Sequence, residues 1–246
     1  MNFKQHLPHY RDAFKNDSRW LRFESKHYIF HYFPESLAEK DITAIANRQE
    51  KVYKKIIIFL DGDYPAQKIS YYLYPSEEIK KSLMGDDGFA QSIYNDFIIH
   101  ALYTSEVQFI GEHEDMHLLS LPWGLSISLF QEGLAEYMVG YDFRGLDHDV
   151  CSKKAIDNKA LLMPSQLMDQ ESWLNTSDDL MFEYYCIAGS FTGYLIDNYG
   201  KDVFKDLYMK TSRDFTSAEN AGVFKQVYDK TIQEGEIDWL EHVRKS

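Results

Sequence analysis

Residues 113–117 read His-Glu-Asp-Met-His, and this H-E-x-x-H spacing constrains the chain more than any other stretch. On a helix of about 3.6 residues per turn, side chains four apart lie nearly over each other, so His113 and His117 converge on one point. Two convergent imidazoles suit a tetrahedral zinc ion with bonds of about 2.0–2.1 Å. Glu114 projects about 100° around the helix from His113. There it reaches a water at the metal without being a ligand, which gives two ligands and one general base. Glu112, Glu114 and Asp115 would equally suit a solvated helix face, so the surrounding residues must decide.

Ser105-Glu106-Val107-Gln108 is a capping-box pattern directly after an apolar, β-rich run. It predicts a helix that opens at Ser105 and carries the motif through its second and third turns, with Val107, Ile110, Leu118 and Leu119 as apolar positions. A catalytic zinc needs a third protein ligand and an open fourth position. Ser128-Leu129-Phe130-Gln131 repeats the capping pattern and puts Glu132 in the first turns of a second helix. Glu132 and Glu136 are four apart and share a face. One can bind metal, and the other can accept a hydrogen bond from a ligating imidazole and fix its tautomer.

HEDMH followed by QEGLAEY resembles the gluzincin metallopeptidases, in which H-E-x-x-H is completed by a Glu on the next helix. Residues 185–191 (Tyr-Cys-Ile-Ala-Gly-Ser-Phe), running on to Tyr199-Gly200, look like the later segment of the same proteins. The shorter "peptidase MA-like" proteins match best in layout, over about residues 26–200. The resemblance implies Zn²⁺ on His113, His117 and Glu132, with Glu114 as base and Glu136 hydrogen-bonded to a ligand. It also implies a tyrosine facing the reacting carbonyl, which the alignment gives as Tyr185. Tyr184 is its neighbour, about 100° away on a helix, so only one of the two can face the metal. No G-x-M-E-N-type segment is present, so exopeptidase specificity is not implied.

At 246 residues the chain can build a full core. Its net charge of −13, with no clustering of Lys or Arg, disfavours nucleic-acid and anionic-membrane partners. Cys151 and Cys186 lie in no C-x-x-C and read as reduced thiols. No run approaches the roughly 18 apolar residues of a membrane helix. Met1 to Pro8 has no apolar signal region, so a complete chain is expected in the cytoplasm and one trimmed of a leader is expected to be exported.

Several elements read directly from pattern. Lys26 to Phe33 is a strand; its His27 and His31, about 13 Å apart on extended backbone, are structural rather than ligating. Ser36 caps a long core helix running to about Leu60. The Asp61-Gly62-Asp63 turn lacks the other positions of a calcium loop. Lys68 to Tyr74 is a second strand, and Ser76 to Leu83 a short helix. Residues 89–94 and 97–103 form a hairpin that runs into the motif helix, and by resemblance an edge strand there accepts an extended peptide. His148 reads as an exposed loop residue, with a role as a mobile transition-state donor as the alternative. Residues 182–199 form a long apolar helix ended by Gly200, and further helices follow.

The expected fold is a single α+β zincin-like domain over 1–246. A small twisted sheet with one long helix occupies about 26–103, a mostly helical lobe about 104–246, and the active-site cleft lies between them. The expected activity is zinc-dependent hydrolysis of peptide bonds in a peptide or protein substrate. The rival is a catalytically inactive zincin-like binding or scaffold protein, since fold does not fix function. An intact Glu114 favours the enzyme, because a purely structural zinc has no use for a base. Substrate preference, endo- or exo-action and oligomeric state are not encoded in any motif found.

Overall fold

The computed structural model describes residues 9–62, 65–157 and 160–246; Met1 to Pro8 and the Asp63 position of the 61–65 turn lie outside them. The fold is α+β, as expected: a five-stranded sheet and one long helix come first, and the rest is mostly helical. The chain forms two compact units that meet in sequence at Ser120 and Leu121, so the motif helix belongs to the first.

In the first unit the strands are β1 (Leu21–Glu24), β2 (Tyr28–Tyr32), β3 (Ile69–Tyr74), β4 (Ala90–Ile93) and β5 (Ile98–Leu102), in sheet order β1-β2-β3-β5-β4. β2, β3 and β5 run parallel, and β1 and β4 pair antiparallel at the two edges. Parallel neighbours require a crossover, and α1 (Leu37–Leu60) makes the one from β2 to β3. Ser36 caps it as expected, its hydroxyl accepting from Glu39 N at 3.2 Å. A buried stripe of Ile45, Gln49, Val52, Tyr53, Ile56 and Leu60 recurs at helical spacing. α2 (Glu77–Met84), capped by Ser76, precedes the β4–β5 hairpin. β3 and β5 are apolar almost throughout because both of their faces are covered.

β1 carries no pattern that marks it in the sequence: three of its four residues are exposed, so it has no buried alternation to reveal it. His27 and His31 are structural. His27 Nδ1 lies 2.6 Å from Glu50 Oε2, and the His31 ring stacks on Tyr72 at 4.2 Å, where burial lowers its pKa to about 4.

After the motif helix α3 (Glu112–Leu119), the second unit comprises α4 (Ser128–Val139), α5 (His148–Ala155), α6 (Gln170–Leu174), α7 (Met181–Tyr199), α8 (Lys201–Lys210), α9 (Ser217–Tyr228) and α10 (Ile232–Lys245). α7 is its axis. A Cβ at Gly133 of α4 would lie 2.1 Å from Thr192 Oγ1 and 2.5 Å from the Ala188 carbonyl, so glycine lets the two backbones meet. Trp239 of α10 is fully buried and donates to Ser190 Oγ of α7 at 2.8 Å. Among the described residues no helix is long and apolar enough to cross a membrane.

Candidate metal centre

α3 begins six residues later than the capping pattern suggests. Its N-cap is Gly111, at φ 141°, not Ser105. Thr104 wins the local competition: its Oγ1 accepts from Glu106 N at 3.2 Å and Val107 N at 3.0 Å, closing a tight turn. Tyr103 then bridges to Gln108, and Phe109 N donates back to the Leu102 carbonyl at 3.0 Å. The motif therefore occupies the first two turns of a short helix rather than the second and third turns of a longer one.

Within α3 the two imidazoles converge as the spacing requires. His113 Nε2 and His117 Nε2 are 3.2 Å apart, with ring planes at 89°. Two ligands at about 2.0–2.1 Å on a tetrahedral ion stand about 3.3 Å from each other, so this pair fits one edge of a zinc tetrahedron. Glu114 is 8% exposed. The Ser92 hydroxyl, from edge strand β4, lies 2.5 Å from Glu114 Oε2 and 3.0 Å from the Glu114 carbonyl.

Asp115, unassigned by the motif, is fully buried and anchors the helix. It accepts from the Tyr28 hydroxyl of β2, and from Gln49 Nε2 of α1 at 2.9 Å. Gln49 Nε2 also lies 3.3 Å from the Gly111 carbonyl, at the helix start. Burial pushes the Asp115 carboxyl well above the usual carboxylate range, against these two donors, which favour its charged form. Lys55 of α1 pairs with Glu112 at 2.9 Å.

In the second unit, α4 carries Glu132 and Glu136 half-buried on one face of an otherwise well-buried helix. Its N-cap is Ile127, so Ser128 is the first helical residue and not the cap; its hydroxyl pairs instead with the Gln170 amide at 2.9 Å. Glu132 still falls in the opening turns. Arg213 fixes the residue before it, with Nη2 2.5 Å from Gln131 Oε1 and Nε 3.0 Å from the Ser126 carbonyl. No spacing rule in the sequence links Arg213 to Gln131, 82 residues away.

His148 is not an exposed loop residue. It is 6% exposed, it opens α5, and its Nε2 lies 2.8 Å from Glu136 Oε2. The Asp147 carboxylate caps α5, accepting from Asp149 N at 2.8 Å. The Cys151 and Cys186 thiols are likewise corrected: they form a disulfide between α5 and α7, with Cα atoms 5.9 Å apart. Of the two tyrosines on α7, Tyr184 is buried with its hydroxyl accepting from Leu162 N at 3.2 Å. Tyr185 is half-buried, its ring 6.1 Å from that of Trp173.

No protein-family model and no curated protein matches the chain. Among solved structures it is similar to an aminopeptidase N family protein from Idiomarina loihiensis, at a TM-score of 0.50 and 12% identity. The match covers 91% of this chain and 46% of that one, so this chain spans less than half the length of its neighbour. At that identity the likeness is one of fold.

Proposed function

We propose that the chain is a zinc-dependent peptidase of the gluzincin kind. The observation that carries this reading is the 3.2 Å separation of His113 Nε2 and His117 Nε2 on a helix that also holds Glu114. The likeness of fold to an aminopeptidase N family protein supports it. His113, His117 and Glu132 hold the metal, and Glu136 orients a ligating imidazole. The bound ion supplies Lewis acidity, which lowers the pKa of a water and polarises a carbonyl.

Glu114 takes the proton of the attacking water and passes it to the leaving amine. Ser92 keeps that carboxylate in one orientation through its 2.5 Å contact. Tyr185 donates its hydroxyl to the developing oxyanion. The substrate is a peptide or protein, and the net charge of −13 makes nucleic acid a poor partner.

The test has two parts. Elemental analysis of chelator-free protein supplied with zinc is expected to show about one zinc per chain. A peptide-library digest is expected to show chelator-sensitive cleavage. Glu114→Gln is expected to keep the metal and lose turnover, whereas Glu132→Ala is expected to lose the metal itself. A wild type that takes up no zinc ends the metal reading. One that binds zinc and cleaves nothing is the inactive binding protein instead.

A further inference from the structure

The imidazole of His148 is enclosed, yet the metal reading gives it no task. Its side chain is 7% exposed and that of its partner Glu136 is 13% exposed, with Nε2 and Oε2 2.8 Å apart. Burying such a pair costs desolvation that an apolar residue at 148 would avoid. The surrounding residues nonetheless enforce it. A Cβ at Gly189 of α7 would stand 2.8 Å from the Glu136 Cβ and 3.0 Å from the His148 ring, so glycine is what admits both side chains there. Asp147 caps the turn on which His148 sits. One turn further on, Cys151 is bonded to Cys186 of α7, and Asp149 accepts from the Ser190 hydroxyl of α7 at 2.6 Å. α5 is thus tied to α7 by a covalent and a polar link, both within three residues of His148.

We propose that His148 is a positioning residue: its Nε2–H holds the Glu136 carboxylate in one rotamer and thereby tightens the metal centre. The inference rests on the metal reading above, in which Glu136 shares a helix face with Glu132 and orients a ligating imidazole. Outer partners of metal ligands typically change metal affinity by about 10–100-fold when removed. His148 acts one bond further out, so its effect belongs at the lower end of that range.

The experiment is a zinc titration of the apoprotein against a competing chelator, with thermal melting of the same apoproteins. His148→Phe keeps an aromatic ring of comparable bulk and removes the donor; it is expected to weaken zinc binding about tenfold. His148→Gln offers an amide donor at similar reach and is expected to restore most of the affinity. His148→Phe combined with Glu136→Gln is expected to bind no more weakly than Glu136→Gln alone, because the two act through one contact. A purely structural role would lower the apoprotein melting temperature without this pattern. Zinc binding by His148→Phe equal to that of wild type, or losses that multiply in the double variant, would overturn the proposal. Should His148→Phe not fold, His148→Asn replaces it: its amide is too short to reach Glu136, so affinity equal to His148→Gln counts against the proposal. A wild type that binds no zinc overturns this inference together with the metal reading, whereas tight wild-type binding with indifferent His148 variants overturns this inference alone.

Discussion

The hydroxyl of Tyr28 donates to the carboxyl of Asp115, which ties the second strand of the sheet to the middle of the HEDMH helix. Both residues are fully buried, so neither group has water as an alternative partner. Tyr28→Phe removes the donor and leaves Asp115 with Gln49. It is expected to destabilise the fold by about 1–3 kcal/mol, the usual result of stranding a buried polar group. Chemical denaturation measures this, and an unchanged midpoint would show that the contact does not anchor α3.

Ser92→Ala tests the grip on the general base. Glu114 keeps its identity but loses the hydroxyl 2.5 Å from Oε2. The expected result is a kcat lowered about tenfold, a part of the 10²–10⁴ that general base catalysis contributes. Zinc content and KM are expected to stay near wild type. Loss of zinc in this variant would mean that Ser92 supports the ligands rather than the base.

Tyr184 and Tyr185 are separable by their hydroxyls. Tyr185→Phe is expected to lower kcat by about 10²–10³ with KM and zinc content nearly unchanged. Tyr184→Phe removes the acceptor for Leu162 N. It is expected to lower stability by about 1 kcal/mol and leave kcat alone. Steady-state kinetics on a cleaved peptide, with melting curves, distinguishes the two; reversed effects would shift the catalytic register by one residue.

Lys80 gives a pH signature of its own. It is fully buried, and burial lowers its pKa from 10.5 to about 8 despite Asp86 at 3.5 Å. Below pH 8 the ammonium is charged both folded and unfolded, so the penalty of burying it is fully present. As pH rises from about 8 toward 10.5, the folded form releases the proton first, and stability rises. Linkage puts the gain on the order of 3 kcal/mol. The stability of wild type minus that of Lys80→Met, measured by urea unfolding, is expected to climb between pH 7.5 and 10; a flat difference excludes the effect.

The sequence made some of this legible and hid the rest for identifiable reasons. Ser36 and the stripe from Ile45 to Leu60 predicted α1 because cap and periodicity agree. The Ser105 pattern has the same form and fails, because the Thr104 side chain takes the nearby amides for a turn. A capping box therefore states a local option that neighbouring residues can outbid. The convergence of His113 and His117 was legible because it depends only on helix geometry. Asp115, Ser92, Arg213 and His148 were not, since their partners lie between 12 and 87 residues away in sequence. The pairing of Cys151 with Cys186 was hidden likewise, 35 residues apart.

That crosslink acts most strongly on a chain that has come apart. Among the described residues between its two ends lie the remainder of α5, two short 3-10 turns (Pro164–Gln166 and Asp178–Leu180), the five-residue α6 and the first turn of α7. This stretch is poor in long helices, and its order owes correspondingly little to local propensity. Closing a loop of that length removes conformations from the denatured ensemble worth about 4 kcal/mol in the chain-entropy account. The oxidised chain consequently starts refolding with α5 and α7 already within reach of each other. A reduced chain has to find that encounter by diffusion, against the full closure entropy of the loop.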